Sequence, residues 1–161
     1  MNILLLKQLA IISAFAGAIL GVATIIPYIS FITFMVLILF LAAFVLTYMK
    51  QNDLIGIISI REGCIFGAII GFVSFIAFSI IYTPISMLIG WILPNYTQGF
   101  LRFFLNSFGS FIVMILLMIL MAGISALMNG FAGLVTAWVF ELISGNKKEN
   151  NENNTIDFEI K

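Results

Sequence analysis

QLAIISAFAGAILGVATIIPYISFITFMVLILFLAAFVLTYM, residues 8–49, is the stretch on which the fold turns: between Lys7 and Lys50 lie 42 positions without Asp, Glu, Lys or Arg. As a single helix it would reach about 63 Å, twice the roughly 30 Å of a bilayer's hydrocarbon layer, so it has to fold back once. The break falls at Pro27-Tyr28. Proline lacks the N–H that a helix interior needs and is well placed in a tight connection. The stretch therefore reads as a hairpin of two membrane-crossing helices, residues 8–26 and 29–49.

The same pattern recurs downstream, with 39 uncharged positions between Glu62 and Arg102 and 38 between Arg102 and Glu141. The 161-residue chain is 63% hydrophobic and 9% charged, with a mean hydropathy of +1.22. Soluble domains carry about 25% charged residues, and a small one buries too little surface to hide this much apolar side chain. The bilayer has to act as solvent. A third helix is expected over 63–82, ending before Thr83-Pro84, and a fourth over 108–142. The fold class is all-α: an integral membrane bundle of four transmembrane helices in two hairpins over residues 1–144.

Between helices 3 and 4, Pro84 and Pro94 bracket a short apolar piece that reads as re-entrant or interfacial. Beyond it, Gln98, Arg102 and Asn106 fall at i, i+4 and i+8 among Phe100, Leu101, Phe103, Phe104 and Leu105. One polar ridge on an apolar helix predicts an interfacial helix there. The last block shows no recognisable turn, so 108–142 is expected to be one long or kinked helix rather than two. Residues 145–161, rich in Asn with mixed Lys and Glu, predict a disordered tail.

Positive charge sets the expected orientation. With four crossings, Lys7, Lys50, Arg61, Lys147, Lys148 and Lys161 fall on one side and Arg102 on the other. The positive-inside rule then puts the N- and C-termini in the cytoplasm and the chain in the cell membrane as a multi-pass protein. Ala14-Phe15-Ala16 has the small-x-small form of a signal-cleavage site. The apolar run continues to Ile26, however, and helix 1 is expected to be retained.

Small residues form the most specific pattern. Gly17-Ala18-Ile19-Leu20-Gly21 on helix 1 recurs as Gly67-Ala68-Ile69-Ile70-Gly71 on helix 3, with Gly63 one turn earlier. Ala122, Ala126 and Gly130 form a similar ridge on helix 4. Lipid supplies no water-expelling force between helices, so close backbone approach matters more, and such a glycine zipper provides it. The expectation is that Gly17 and Gly21 pack on Gly67 and Gly71 between parallel helices, in equal register. The alternative use is an interface between copies of the chain.

Ionisable groups are absent from the middle of every predicted crossing, where a proton or ion pathway usually places them. Arg61 and Glu62 are expected to anchor and cap helix 3, and Glu141 to reach the headgroup layer. Asn129 is the only amide deep in helix 4, and Ser74, Ser125 and Asn129 would be the polar pathway if the chain moved a solute. The absence of His removes the commonest metal ligand and acid–base group, and Ser-His and Cys-His nucleophilic mechanisms with it. No catalytic residue, cofactor or metal is expected. Cys64 is alone, so no intrachain disulfide forms. A net charge of zero offers nothing to nucleic acid. The expected partners are the lipid bilayer and other membrane proteins or further copies of the chain. The functional expectation is a non-enzymatic multi-pass protein, a structural or accessory subunit of a membrane complex. The rival is a small solute or ion transporter or channel subunit working as an oligomer.

Overall fold

A computed structural model describes residues 3–56, 58–92 and 110–156. Its elements are α1 (Ile3–Ala23), α2 (Pro27–Met35), a π-helical turn (Val36–Phe40), α3 (Leu41–Gln51), α4 (Ile60–Ile92) and α5 (Ser110–Ile156). The segments α2, π turn and α3 follow one another without a break and make one rod. Four rods among the described residues are long and apolar enough to cross a membrane: Ile3–Ala23, Tyr28–Gln51, Ile60–Ile89 and Ile115–Ile143. The all-α, four-helix architecture expected from the sequence is the one observed. The expected interfacial helix at 98–106 and tail residues 157–161 lie outside the described residues.

Local sequence explains where the rods begin and end. Pro27 occupies the first turn of α2, behind an extended Ile26 (φ −78°, ψ 115°), a place where its missing N–H costs nothing. Across this hairpin the Thr24 and Thr33 hydroxyls hydrogen-bond at 2.8 Å. At the end of α3, the Leu54 N–H donates to the Met49 carbonyl (2.9 Å) and the Asp53 N–H to that of Lys50 (3.2 Å). That double closure needs a left-handed residue, and Asp53 supplies it with φ 54°. At the start of α4, the Ser59 N–H donates to Glu62 Oε2 (3.1 Å) and the Glu62 N–H to Ser59 Oγ (3.3 Å). This reciprocal capping box satisfies main-chain donors that a helix start leaves without partners.

Helix starts differ from the sequence expectation by a few residues, α1 beginning at Ile3 rather than at residue 8, and two helix ends differ by more. α4 runs through Pro84 to Ile92 instead of ending at Tyr82. In hydrocarbon, ending the helix would leave several main-chain groups unpaired, whereas a proline inside it removes one bond. α5 continues to Ile156, so residues 145–156 are helical despite their composition. Extending an existing helix fixes one residue per bond, without the nucleation cost an isolated segment faces.

α4 is the centre of the bundle, with α1 along one flank, α5 along another and the α2–α3 rod packed against both α4 and α5. The glycine contacts fix the directions. Gly17 lies on the Ser74 main chain and Gly21 on the Phe78 carbonyl, so α1 and α4 run parallel. Gly63 meets Gly133 and Ala137, Gly67 meets Asn129 and Gly130, and Gly71 meets Ser125, so α4 and α5 run antiparallel. The equal-register pairing of the two glycine motifs is thereby corrected. Gly17 and Gly21 do face α4, but Gly67 and Gly71 face α5, whose Asn129 occupies the room they leave.

Leu9, Leu37, Leu46, Met49 and Ile70 are fully buried between the rods. Toward the α1–α2 hairpin, Phe34, Phe75, Phe78 and Tyr82 pack ring on ring, with centroids 5.3–6.5 Å apart. At the opposite end the Lys50 ammonium sits 4.0 Å above the centre of the Phe140 ring. Phe15, Phe31, Leu127 and Phe131 point outward, each more than two-thirds exposed. Acyl chains cover such a surface at no hydrophobic cost, whereas water would not.

Candidate functional site

The site begins with space. A Cβ at Gly71 would stand 2.8 Å from the Cβ of Asn129, and one at Gly67 would collide with the Asn129 carbonyl. Because neither glycine has one, α5 approaches α4 closely enough for the Asn129 side chain to reach the α2–α3 rod. Asn129 is fully buried, as are Ser125 beside it on α5 and Ser74 on α4.

Its carboxamide is inserted into the main-chain ladder of that rod. In an unbroken α-helix the Ala42 N–H would donate to the Ile38 carbonyl. Here it donates to Asn129 Oδ1 at 2.8 Å, while Asn129 Nδ2 donates to the Leu37 and Ile38 carbonyls, both at 2.9 Å. Oxygen and nitrogen of one side chain thus replace the acceptor and the donor that the ladder lacks. The rod accommodates the insertion with the π turn at Val36–Phe40 and a distorted Phe40 (φ −118°, ψ −8°).

Nδ2 also faces the Ser125 carbonyl (3.1 Å) and Oγ (3.3 Å), so two amide protons are shared among four oxygens. Ser125 Oγ donates to the Gly71 carbonyl at 3.1 Å, and Ser74 Oγ donates to the same oxygen at 3.2 Å. One polar cluster therefore joins α5, α4 and the α2–α3 rod inside the apolar layer. Among the described residues no buried side-chain nitrogen or oxygen lacks a partner. An interhelical hydrogen bond in a membrane contributes only about 0.6 kcal/mol on average. Leaving the Ala42 N–H and two carbonyls unpaired would cost about 1–3 kcal/mol each. The avoided penalty outweighs the bonds themselves.

The structure brings Ser74, Ser125 and Asn129 together around Gly71, while Gly17 lies on the Ser74 main chain and Gly21 one turn further along α4, on the Phe78 carbonyl. Ser13 is buried on α1 and donates within its own helix to Leu9 (2.6 Å). Gly130 is buried, where a Cβ would lie 3.4 Å from the Cys64 carbonyl, and Ala126 is half-buried. The sequence pattern singles out the ridge Ala122, Ala126, Gly130; the set packed on α4 also includes Ser125, Asn129, Gly133 and Ala137, one residue out of phase. Gly133, against Gly63 and Gly67, was legible as part of that second four-residue repeat. Leu37, Ile38 and Ala42 contribute main-chain atoms, which side-chain identity does not announce. No group of three His, Cys, Asp or Glu side chains gathers among the described residues.

Comparison with protein-family models, curated proteins and solved structures found no match. The fold itself defines the class: an all-helical, multi-pass membrane protein whose interior polar groups bind its helices to one another.

Proposed function

We propose that the chain is a non-catalytic structural or accessory subunit of a membrane complex, embedded in the cell membrane with both termini in the cytoplasm. The observation that carries this reading is the use made of Asn129. Both ends of its carboxamide are engaged by the main chain of the α2–α3 rod, so the most polar side chain of the interior serves cohesion. The glycine faces serve the same end, a glycine zipper turned inward to pack the bundle rather than outward to join copies. The apolar outer surface is left for acyl chains and for the helices of a partner.

Purification in a mild detergent, followed by identification of co-purifying proteins, tests the reading. A membrane protein recovered in fixed ratio with the chain is expected; isolation of the chain alone speaks against it. The transporter or channel reading has one observation in its favour, the π turn at a polar cluster, a geometry frequent at functional sites. Purified chain in liposomes that passed a small ion or solute as an oligomer would move the assignment there. Orientation is tested by cysteine labelling at positions 2, 52, 95 and 150 in a Cys64→Ser background. Exterior labelling is expected at 95 alone.

A further inference from the structure

We propose that Asn129 is a register lock: the second membrane crossing has an alternative, wholly α-helical register, and the carboxamide excludes it. The starting point is a spacing. Along this rod the buried positions are Thr33, Leu37, Leu41, Val45 and Met49, with Ala42 and Leu46 beside them. At about 100° per residue, a four-residue step overshoots a full turn by about 40°, so four steps drift by about 160°. An unbroken α-helix cannot keep all five on one side. The π turn inserts one residue and turns the stripe back by roughly 100°, which keeps Leu41, Val45 and Met49 facing α4 and α5.

Were the π turn to anneal into an α-helix, each residue beyond it would move into the place of its successor. Phe40, Phe44 and Tyr48 would then enter the positions of Leu41, Val45 and Met49. These three are now 55%, 63% and 53% exposed and follow the same four-residue spacing. Both stripes are apolar, and lipid does not discriminate between apolar faces as water does. Main-chain bonding by itself favours the alternative, since it restores the Ala42-to-Ile38 bond. What holds the observed register is Asn129, which takes the Ala42 N–H at 2.8 Å and covers the Leu37 and Ile38 carbonyls. The lock works only while α5 stays against Gly67 and Gly71, so separation of α4 from α5 releases it. Release turns residues 41–51 by about 100° and draws Lys50 off the Phe140 ring. The device couples the α4–α5 spacing to the face that the end of the second crossing presents. It rests on the fold and is independent of the proposed function.

Nitroxide labels placed singly at Phe44→Cys and Leu46→Cys, in a Cys64→Ser background in phosphatidylcholine vesicles, read the register through collision with dissolved oxygen. With Asn129 present, position 44 is expected to be open to lipid and position 46 shielded. Asn129→Leu should reverse that order, and Asn129→Leu combined with deletion of Leu39 should restore it, since the deletion removes the inserted residue. An unchanged order in Asn129→Leu overturns the proposal. Should Asn129→Leu fail to fold, the deletion decides: recovery with the original order supports the lock, and failure of both variants contradicts it.

Discussion

Two glycine-to-alanine substitutions, differing only in place, should change stability in opposite directions. At Gly71 a Cβ would lie 2.8 Å from the Asn129 Cβ and from the Ser125 carbonyl carbon, while at Gly123 it would meet nothing within 4 Å. Carbon atoms rest about 3.5–4.0 Å apart, so α5 has to retreat from α4 by about 1 Å in Gly71→Ala. The obstacles at Gly71 are main chain and a Cβ, which no rotamer change relieves. Overpacking of this kind costs about 1–3 kcal/mol. The retreat also stretches the 2.8–2.9 Å bonds from Asn129 to Ala42, Leu37 and Ile38, each contributing about 0.6 kcal/mol. Alanine's helix preference over glycine, about 1 kcal/mol, is common to both variants and cancels in the comparison. Gly71→Ala is therefore expected to be about 2–4 kcal/mol less stable than Gly123→Ala. Unfolding in maltoside micelles by increasing dodecyl sulfate, followed by tryptophan fluorescence, measures the difference. Equal stabilities, or a less stable Gly123→Ala, would refute the account of the α4–α5 contact.

Asp53→Gly should raise stability by about 1 kcal/mol in the same assay, because φ 54° strains a residue with a Cβ. Ser59→Ala removes one half of the cap on α4 and should cost about 1 kcal/mol, with faster amide exchange confined to the first turn of that helix. A double-mutant cycle on Lys50→Met and Phe140→Leu should return a coupling of about 0.5–1 kcal/mol, and additivity would show that the cation–ring contact contributes nothing.

Membrane class and four crossings were legible because they depend on run length and on charge, which a single sequence displays directly. Pro27 marked the hairpin for the same reason that it now sits in the first turn of α2. Pro84 misled, since a proline that would end a helix in water is retained where unwinding exposes main chain to hydrocarbon. The spacing of the glycines marks them as packing residues, but it does not name their partners. Gly17 and Gly67 belong to the same five-residue pattern, yet one faces Ser74 and the other Asn129. Pattern alone does not say which face of α4 a motif serves. The polar cluster was half visible: Ser74, Ser125 and Asn129 stood out by residue type, while the main-chain groups they bind carry no side-chain signature. The π turn left one trace, the strict four-residue spacing of Thr33, Leu37, Leu41, Val45 and Met49, which becomes informative once their burial is known.

Cross-linking within a single chain tests the arrangement of the bundle most directly. A Cβ at Gly130 would lie 3.5 Å from the Ala68 Cβ, and one at Gly21 would lie 3.4 Å from the Ile81 Cβ. Both are close to the roughly 3.5–4.5 Å separation that a disulfide spans. In a Cys64→Ser background in native membranes, Ala68→Cys with Gly130→Cys and Gly21→Cys with Ile81→Cys should each oxidise to an intrachain disulfide, while Gly21→Cys with Gly71→Cys should not. Cross-linking of the 21–71 pair without the other two, or disulfides formed only between chains, would contradict a bundle centred on α4 with α1 and α5 on separate flanks.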